Sequence, residues 1–158
     1  MPSTRLIQCQ QLLKKKGMSI AFAESATAGR ISAEFALIPQ SGDVLKGGIV
    51  CYDACIKQDV LGVPKELVEK YTPESAEVTQ ALAELLGNLM KADVRVAVTG
   101  LIMPGGSETD DKPVGTMFIH ILIGSVAYPT REIFKGNPEQ IVLQTVDRVA
   151  DILIEQLS

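Results

Sequence analysis

Apolar positions along this chain switch repeatedly between a helical and a strand-like rhythm. Leu6, Cys9, Leu12 and Leu13 recur at helical spacing from Arg5 to Lys16, with Thr4 placed to cap the helix and Gly17 to close it. Met18 to Ala23 is a short unbroken apolar run and reads as a buried strand. From Ala28 to Leu37 the spacing is helical again, with Ile31, Phe35 and then Ile38 on one stripe. After a break at Pro39, Ser41 and Gly42, the run Gly47 to Tyr52 predicts a second strand. Its paired glycines point to close approach of another backbone.

Asp53 is placed to cap a short helix over Ala54 to Leu61 that Gly62 ends, and Pro64 opens another through Lys70. Val78, Leu82, Leu85, Leu86 and Leu89 carry a longer helix from Ser75 to Met90, which Gly87 weakens by about 1 kcal/mol relative to Ala. Val94 to Val98 and Gly115 to Ile123 are two more strands. Gly124-Ser125 is a two-residue hairpin signal, so Val126 to Phe134 returns antiparallel. Gly136-Asn137-Pro138 starts a last helix lined by Ile141, Val142, Thr145, Val149 and Ile152. Alternating helices and strands predict an α/β fold whose mostly parallel sheet is covered on both faces. Its chemistry is then expected in the loops after Ala23, Tyr52 and Val98, at the carboxyl ends of parallel strands.

Composition changes this picture little. The chain of 158 residues, 46% hydrophobic, fits one domain spanning 1–158. A net charge of −4 argues against a broad nucleic-acid surface. No apolar run reaches a membrane span, and Met1-Pro2-Ser3-Thr4-Arg5 lacks a signal-peptide plan, so a cytoplasmic location is expected. Cys9, Cys51 and Cys55 read as reduced thiols, and no companion ligands turn Cys51 and Cys55 into a metal site. The single histidine, His120, lies in an apolar run and reads as a strand residue with a satisfied ring, which disfavours a Ser-His-Asp triad.

The stretch Glu24-Ser25-Ala26-Thr27-Ala28-Gly29-Arg30 joins the first strand to its helix. A hydroxyl there is either a helix cap or a nucleophile in front of free backbone N–H groups. Tyr52 reads either as a strand-end tyrosine packed under a loop or as a proton relay, and Lys57 either as a solvated surface lysine or as a base. Together, Ser25, Tyr52 and Lys57 can make a nucleophile without imidazole: a lysine of lowered pKa takes the serine proton. Backbone N–H groups at the helix start can supply an oxyanion hole. Thr99-Gly100 and Gly105-Gly106 form either a second anion cradle or a plain connection.

These residues are similar to the CinA C-terminal domain family. Glu24-Ser25-Ala26-Thr27-Ala28-Gly29 resembles its E-S-C-T-G-G signature. Gly47-Gly48-Ile49-Val50-Cys51-Tyr52, with Lys57 and Leu61-Gly62-Val63, resembles its G-G-V-V-x-Y…K-x-x-L-G-V stretch. Val98-Thr99-Gly100, Pro104-Gly105-Gly106 and Lys112-Pro113-Val114-Gly115-Thr116 resemble its V-T-G-I-A-G-P-G-G…K-P-V-G-T block. The resemblance implies a single three-layer α/β/α domain with a mixed, mostly parallel sheet and one antiparallel strand. It implies the PncC-type deamidation of nicotinamide mononucleotide to nicotinic acid mononucleotide and ammonia, with no cofactor and no metal. Ser25 is then the nucleophile, activated by Tyr52 and Lys57. Glu24, Thr27, Gly29, Thr99, Gly100, Gly105 and Gly106 become the substrate-binding positions. It further implies a homo-oligomer, a dimer, acting on a small nucleotide rather than on nucleic acid or a membrane. A catalytically degenerate paralogue, binding another small ligand or a protein partner, is the alternative.

Several positions depart from the pattern. The family's cysteine and first glycine are Ala26 and Ala28 here, and its small Ala-Gly pair is Ile102-Met103. Crowding of that kind costs about 1–3 kcal/mol. The family's G-D-R-x-x-I-R run aligns with Gly136-Asn137-Pro138-Glu139-Gln140-Ile141-Val142, without either arginine. Two charge-assisted phosphate contacts contribute about 3–6 kcal/mol, or about two to four decades of affinity. Arg131 and Lys135 are the cations nearest in sequence.

Overall fold

A computed structural model describes residues 1–158. The first helix, α1 (Thr4–Lys16), starts one residue earlier than expected, because Ser3 rather than Thr4 caps it by accepting the Leu6 N–H. Gly17 ends it in the left-handed region, as expected. Strand β1 (Ile20–Glu24) is buried at every position and leads into α2 (Arg30–Ala36). A 3-10 turn over Ser41–Asp43 then precedes β2 (Leu45–Val50). Asp53 caps α3 (Ala54–Asp59), and α4 (Lys65–Tyr71) and α5 (Ala76–Leu89) follow, the last capped by Ser75. The chain ends with β3 (Val94–Gly100), β4 (Thr116–Ile123), β5 (Val126–Ile133) and α6 (Pro138–Leu157).

The five strands lie in the order β2-β1-β3-β4-β5. β1 pairs parallel with β2 and β3, while β3–β4 and β4–β5 pair antiparallel. Four strands therefore share one direction and β4 alone opposes them. The physical reason is the connection: residues 101–115 contain no helix, and a parallel return needs a crossover that a helix usually provides. β3 runs past Val98 to Gly100 because β4 pairs with it to Gly100↔Met117.

Strand alternation sorts the core into two layers. Ile20, Phe22, Val96, Val98 and Ile119 face α1, α2 and α6. Ala21, Ala23 and Ala97 face α5 and the segment after α3. One glycine matters to the site: a Cβ on Gly48 would stand 2.3 Å from Ser32 Oγ. Glycine there lets α2 lie close to β2 and carries Ser32 over the end of β1. No helix of the structure is long and apolar enough to cross a membrane.

Candidate active site

The turn after β1 divides two buried ionisable side chains. Ser25 extends β1 by one pairing, its N–H donating to Val98 O at 2.9 Å. Two residues in the left-handed region, Ala28 (φ 48°) and Gly29 (φ 91°), then swing the chain into α2. That detour starts the helix at Arg30 rather than Ala28, and Gly29 supplies no side-chain cap. Glu24 does the capping instead. Its Oε2 accepts from Thr27 Oγ1 (2.7 Å) and from the Gly29 and Ile31 N–H groups (both 3.1 Å). Its Oε1 accepts from the Ser32 N–H (2.8 Å) and Ser32 Oγ (2.6 Å). Glu24 is 1% exposed and faces α2, away from any open space.

Ser25 points the other way. Lys57 Nζ reaches its Oγ at 2.9 Å across 32 residues of sequence. The same amine donates to the Cys51 carbonyl (2.7 Å) and the Tyr52 carbonyl (3.2 Å). Asp53 starts α3 with its carboxylate on the Cys55 N–H, which places Lys57 one turn in and aims it back at β1. Lys57 is 1% exposed, not a solvated surface lysine, and no carboxylate pairs with it. Burial pushes its pKa below the ordinary lysine value. In the neutral form two N–H groups stay on the two carbonyls and the lone pair faces Ser25, whose hydroxyl then donates.

Tyr52 contributes differently from the expected relay. Its carbonyl holds Lys57, but its phenol hydrogen-bonds to neither Ser25 nor Lys57, and the residue is 55% exposed. It forms a wall. Ser25, Tyr52, Glu74, Gly100, Met103 and Gly106 are among the residues lining a cavity of about 300 Å3. Met103 borders this space without filling it and is 49% exposed.

The glycine loop also departs from its expected role. Gly105 and Gly106 do form an anion cradle, but the Glu108 carboxylate sits in it, accepting both N–H groups at 2.8 Å. These bonds hold the Glu108 pKa below the usual carboxylate range. Gly100 lines the cavity, but its lack of a side chain answers to β4: a Cβ there would lie 2.7 Å from the Thr116 carbonyl. Thr99 is fully buried and shares a 2.8 Å hydrogen bond with Thr79. Glu24 and Thr99 therefore line no open space near Ser25.

His120 lines a separate cavity beside Thr79 and Thr130, and its Nε2 has no hydrogen-bond partner, contrary to the satisfied ring expected from the sequence. Burial lowers its pKa.

Comparison with known proteins fits this arrangement. The CinA C-terminal domain model matches residues 4–157. The chain belongs to the CinA C-terminal domain family. A CinA-like protein of Dictyoglomus thermophilum is 36% identical over 143 residues, covering 90% of this chain and 34% of its own length. One from Thermosipho melanesiensis is 40% identical over 130 residues, covering 81% and 32%. The chain thus spans about a third of the curated relatives it matches. A CinA superfamily protein of Klebsiella pneumoniae superposes with a TM-score of 0.92 at 25% identity, covering 97% of this chain and 95% of that one. A competence/damage inducible protein of Agrobacterium tumefaciens gives 0.89 at 25% identity, covering 98% and 97%.

In this CinA domain the two positions that align with the missing arginines come together in space. Pro138 and Val142 line a second compartment of about 490 Å3, with Thr27, Gly29 and Arg30 across from them. Ala26, Tyr52 and Ile102 border both compartments and so connect them. Arg30 is the only cation on the wall of either, and it is paired with Glu34 (2.7 Å) and Glu139 (3.7 Å). Arg131 binds the Asp111 carbonyl instead, and neither it nor Lys135 lines these two spaces.

Sequence reasoning did not name Glu74 or Glu108, and it quoted Lys112 and Glu139 only within motif runs, without a role. Glu108 carried a local signal, an acid just behind a glycine pair. Lys112 straps the 101–115 loop to the corner before α5 through Thr72 Oγ1 (2.7 Å), the Glu74 carbonyl (2.8 Å) and Ser107 Oγ (2.9 Å).

Proposed function

We propose that this CinA domain is an amidohydrolase that cleaves a small carboxamide to a carboxylate and ammonia. Its reaction on nicotinamide mononucleotide, giving nicotinic acid mononucleotide, is the one the family resemblance implies. The observation that carries the proposal is the buried Lys57 amine 2.9 Å from Ser25 Oγ with no carboxylate in ion-pair contact. Burial lowers the pKa of the amine against a smaller opposing pull from Glu74 and Asp53, which favours the neutral form a general base requires.

The steps follow from that contact. Ser25 Oγ attacks the carboxamide carbon and its proton passes to Lys57 Nζ. The Ala26 N–H has no acceptor within the protein and borders the cavity, which makes it a donor to the oxyanion. Lys57 returns the proton to the departing nitrogen; the C–N bond breaks, ammonia leaves, and an ester to Ser25 remains. Water then adds to this ester, giving a proton to Lys57. The C–Oγ bond breaks, Ser25 regains its proton, and the acid is released. Tyr52 shapes the cavity over the reacting group in this scheme.

Release of ammonia from nicotinamide mononucleotide and from its riboside tests the proposal. Turnover in the wild type that Ser25→Ala abolishes is expected. Equal turnover in Ser25→Ala, or none in the wild type, overturns it and leaves a ligand-binding paralogue. The dimer implied by the resemblance belongs to the same proposal, and light scattering reads it.

A further inference from the structure

The β4–β5 hairpin pairs Phe118 with Arg131 and His120 with Pro129. These residues lie on the sheet face that α5 covers, because Leu122, at the same alternation along β4, packs in the core beneath that helix. Further along α5, Leu82 and Leu86 fill the space, but at its start the helix presents only Ala76 and Thr79. These small side chains leave a cavity of about 230 Å3 between helix and hairpin. At a liquid share of about 30 Å3 per molecule, that is room for about seven waters or for one compact ligand.

We propose that this cavity binds a small aromatic carboxylate, its acid group on Arg131 and the start of α5 and its ring against Phe118 and Pro129. The cavity shares no wall residue with the two compartments around Ser25, and the proposal does not rest on the amidohydrolase reading.

Three groups on the wall are free to receive a ligand, and no carboxylate lines it. The Arg131 guanidinium has five N–H donors and gives one hydrogen bond, to the Asp111 carbonyl. It forms no ion pair. It stands 5.8 Å over the Phe118 ring, beside the apolar wall. The Ala76 N–H opens α5, a helix of 14 residues, and finds no acceptor in the protein, so an unsatisfied donor at the positive end of the helix borders the cavity. His120 is 5% exposed, and its ring makes no hydrogen bond, with Nε2 enclosed and unpartnered. Buried polar groups ordinarily have partners, so the ring is the exception that a ligand explains. The Thr79 hydroxyl, by contrast, is engaged by the Ser75 carbonyl (2.5 Å) and by Thr99 (2.8 Å).

Charge and polarity select the ligand. Arg131 is the single charged residue on the wall, so an anion is favoured. Arginine takes a carboxylate in a two-bond fork. A phosphate would bring further oxygens against Phe118 and Pro129, where nothing donates to them. A flat ring behind the carboxylate displaces water from those same surfaces.

His120 is the only histidine of the chain, so its imidazole signals in a nitrogen-15 spectrum report on this cavity alone. Benzoate, benzamide and inorganic phosphate are titrated at constant ionic strength, with the methyl signal of Met103, on the wall of the Ser25 cavity, as a second local probe. Benzoate is expected to move the His120 signals and to saturate at millimolar concentration. Benzamide, the neutral isostere, is expected to bind about tenfold more weakly or worse, and phosphate to leave the ring in place. Arg131→Gln is expected to erase the difference between benzoate and benzamide, and Arg131→Lys to keep part of it. Unmoved His120 signals, equal affinity for benzoate and benzamide, phosphate binding as tight as benzoate, or a shift of Met103 alone would each overturn the proposal. A charge preference that survives in Arg131→Gln overturns it as well.

Discussion

Glu24 and Lys57 are both 1% exposed, and they flank the same serine from opposite faces of the sheet. Their surroundings differ in one respect. Glu24 receives five hydrogen bonds, three from backbone N–H groups and two from hydroxyls. Lys57 meets only neutral oxygens. A buried charge with every lone pair engaged is a structural fixture. A buried amine with no opposite charge is held towards its neutral form, which is a chemical resource. One turn thus carries a fully hydrogen-bonded acid on one side and an amine without an ion-pair partner on the other.

The sharpest way to break this contrast is to remove the amine. Lys57→Met is expected to lower hydrolysis by about two to four decades, while thermal unfolding shows no loss of stability. An equal fall in stability would show that the amine is structural after all. Glu24→Ala should do the reverse: stranding buried N–H groups costs roughly 3 kcal/mol, a fall in melting temperature of about 6–12 °C.

pH sharpens the same comparison. Because burial lowers the Lys57 pKa, the folded chain binds fewer protons than the unfolded chain between that lowered value and the ordinary lysine range. Stability from this group therefore rises with pH across that window, and a Lys57→Met protein lacks the rise. Activity follows the same direction, since kcat/KM should climb as the amine loses its proton. A flat profile would remove Lys57 as base.

The smallest expected effect concerns the turn itself. Ala28 holds a left-handed conformation that glycine adopts freely, so Ala28→Gly should add about 1 kcal/mol, or about 2–4 °C. A loss of stability would mean that the methyl group contributes packing against the second compartment.

Most elements were legible because their signals are local: apolar spacing, the Asp53 and Ser75 caps, the Gly124-Ser125 hairpin and the Asn137-Pro138 helix start all appear where expected. The start of α2 was not, since its cap comes from a glutamate five residues before Gly29 rather than from the cap position. The Ser25–Lys57 contact required sheet order, which puts β2 beside β1 and so brings α3 over the turn. Spacing named the two residues and could not join them. The roles of Glu108 and Glu139 depend on where free N–H groups and Arg30 point, and no pattern of residue types encodes that.

The resident Glu108 carboxylate in the Gly105-Gly106 cradle bears on what happens after bond cleavage. Hydrolysis of an amide creates negative charge where there was none, inside a chamber whose cradle is already taken. In the proposed reaction the new carboxylate cannot enter that cradle and is repelled by the charge already there, which favours its departure.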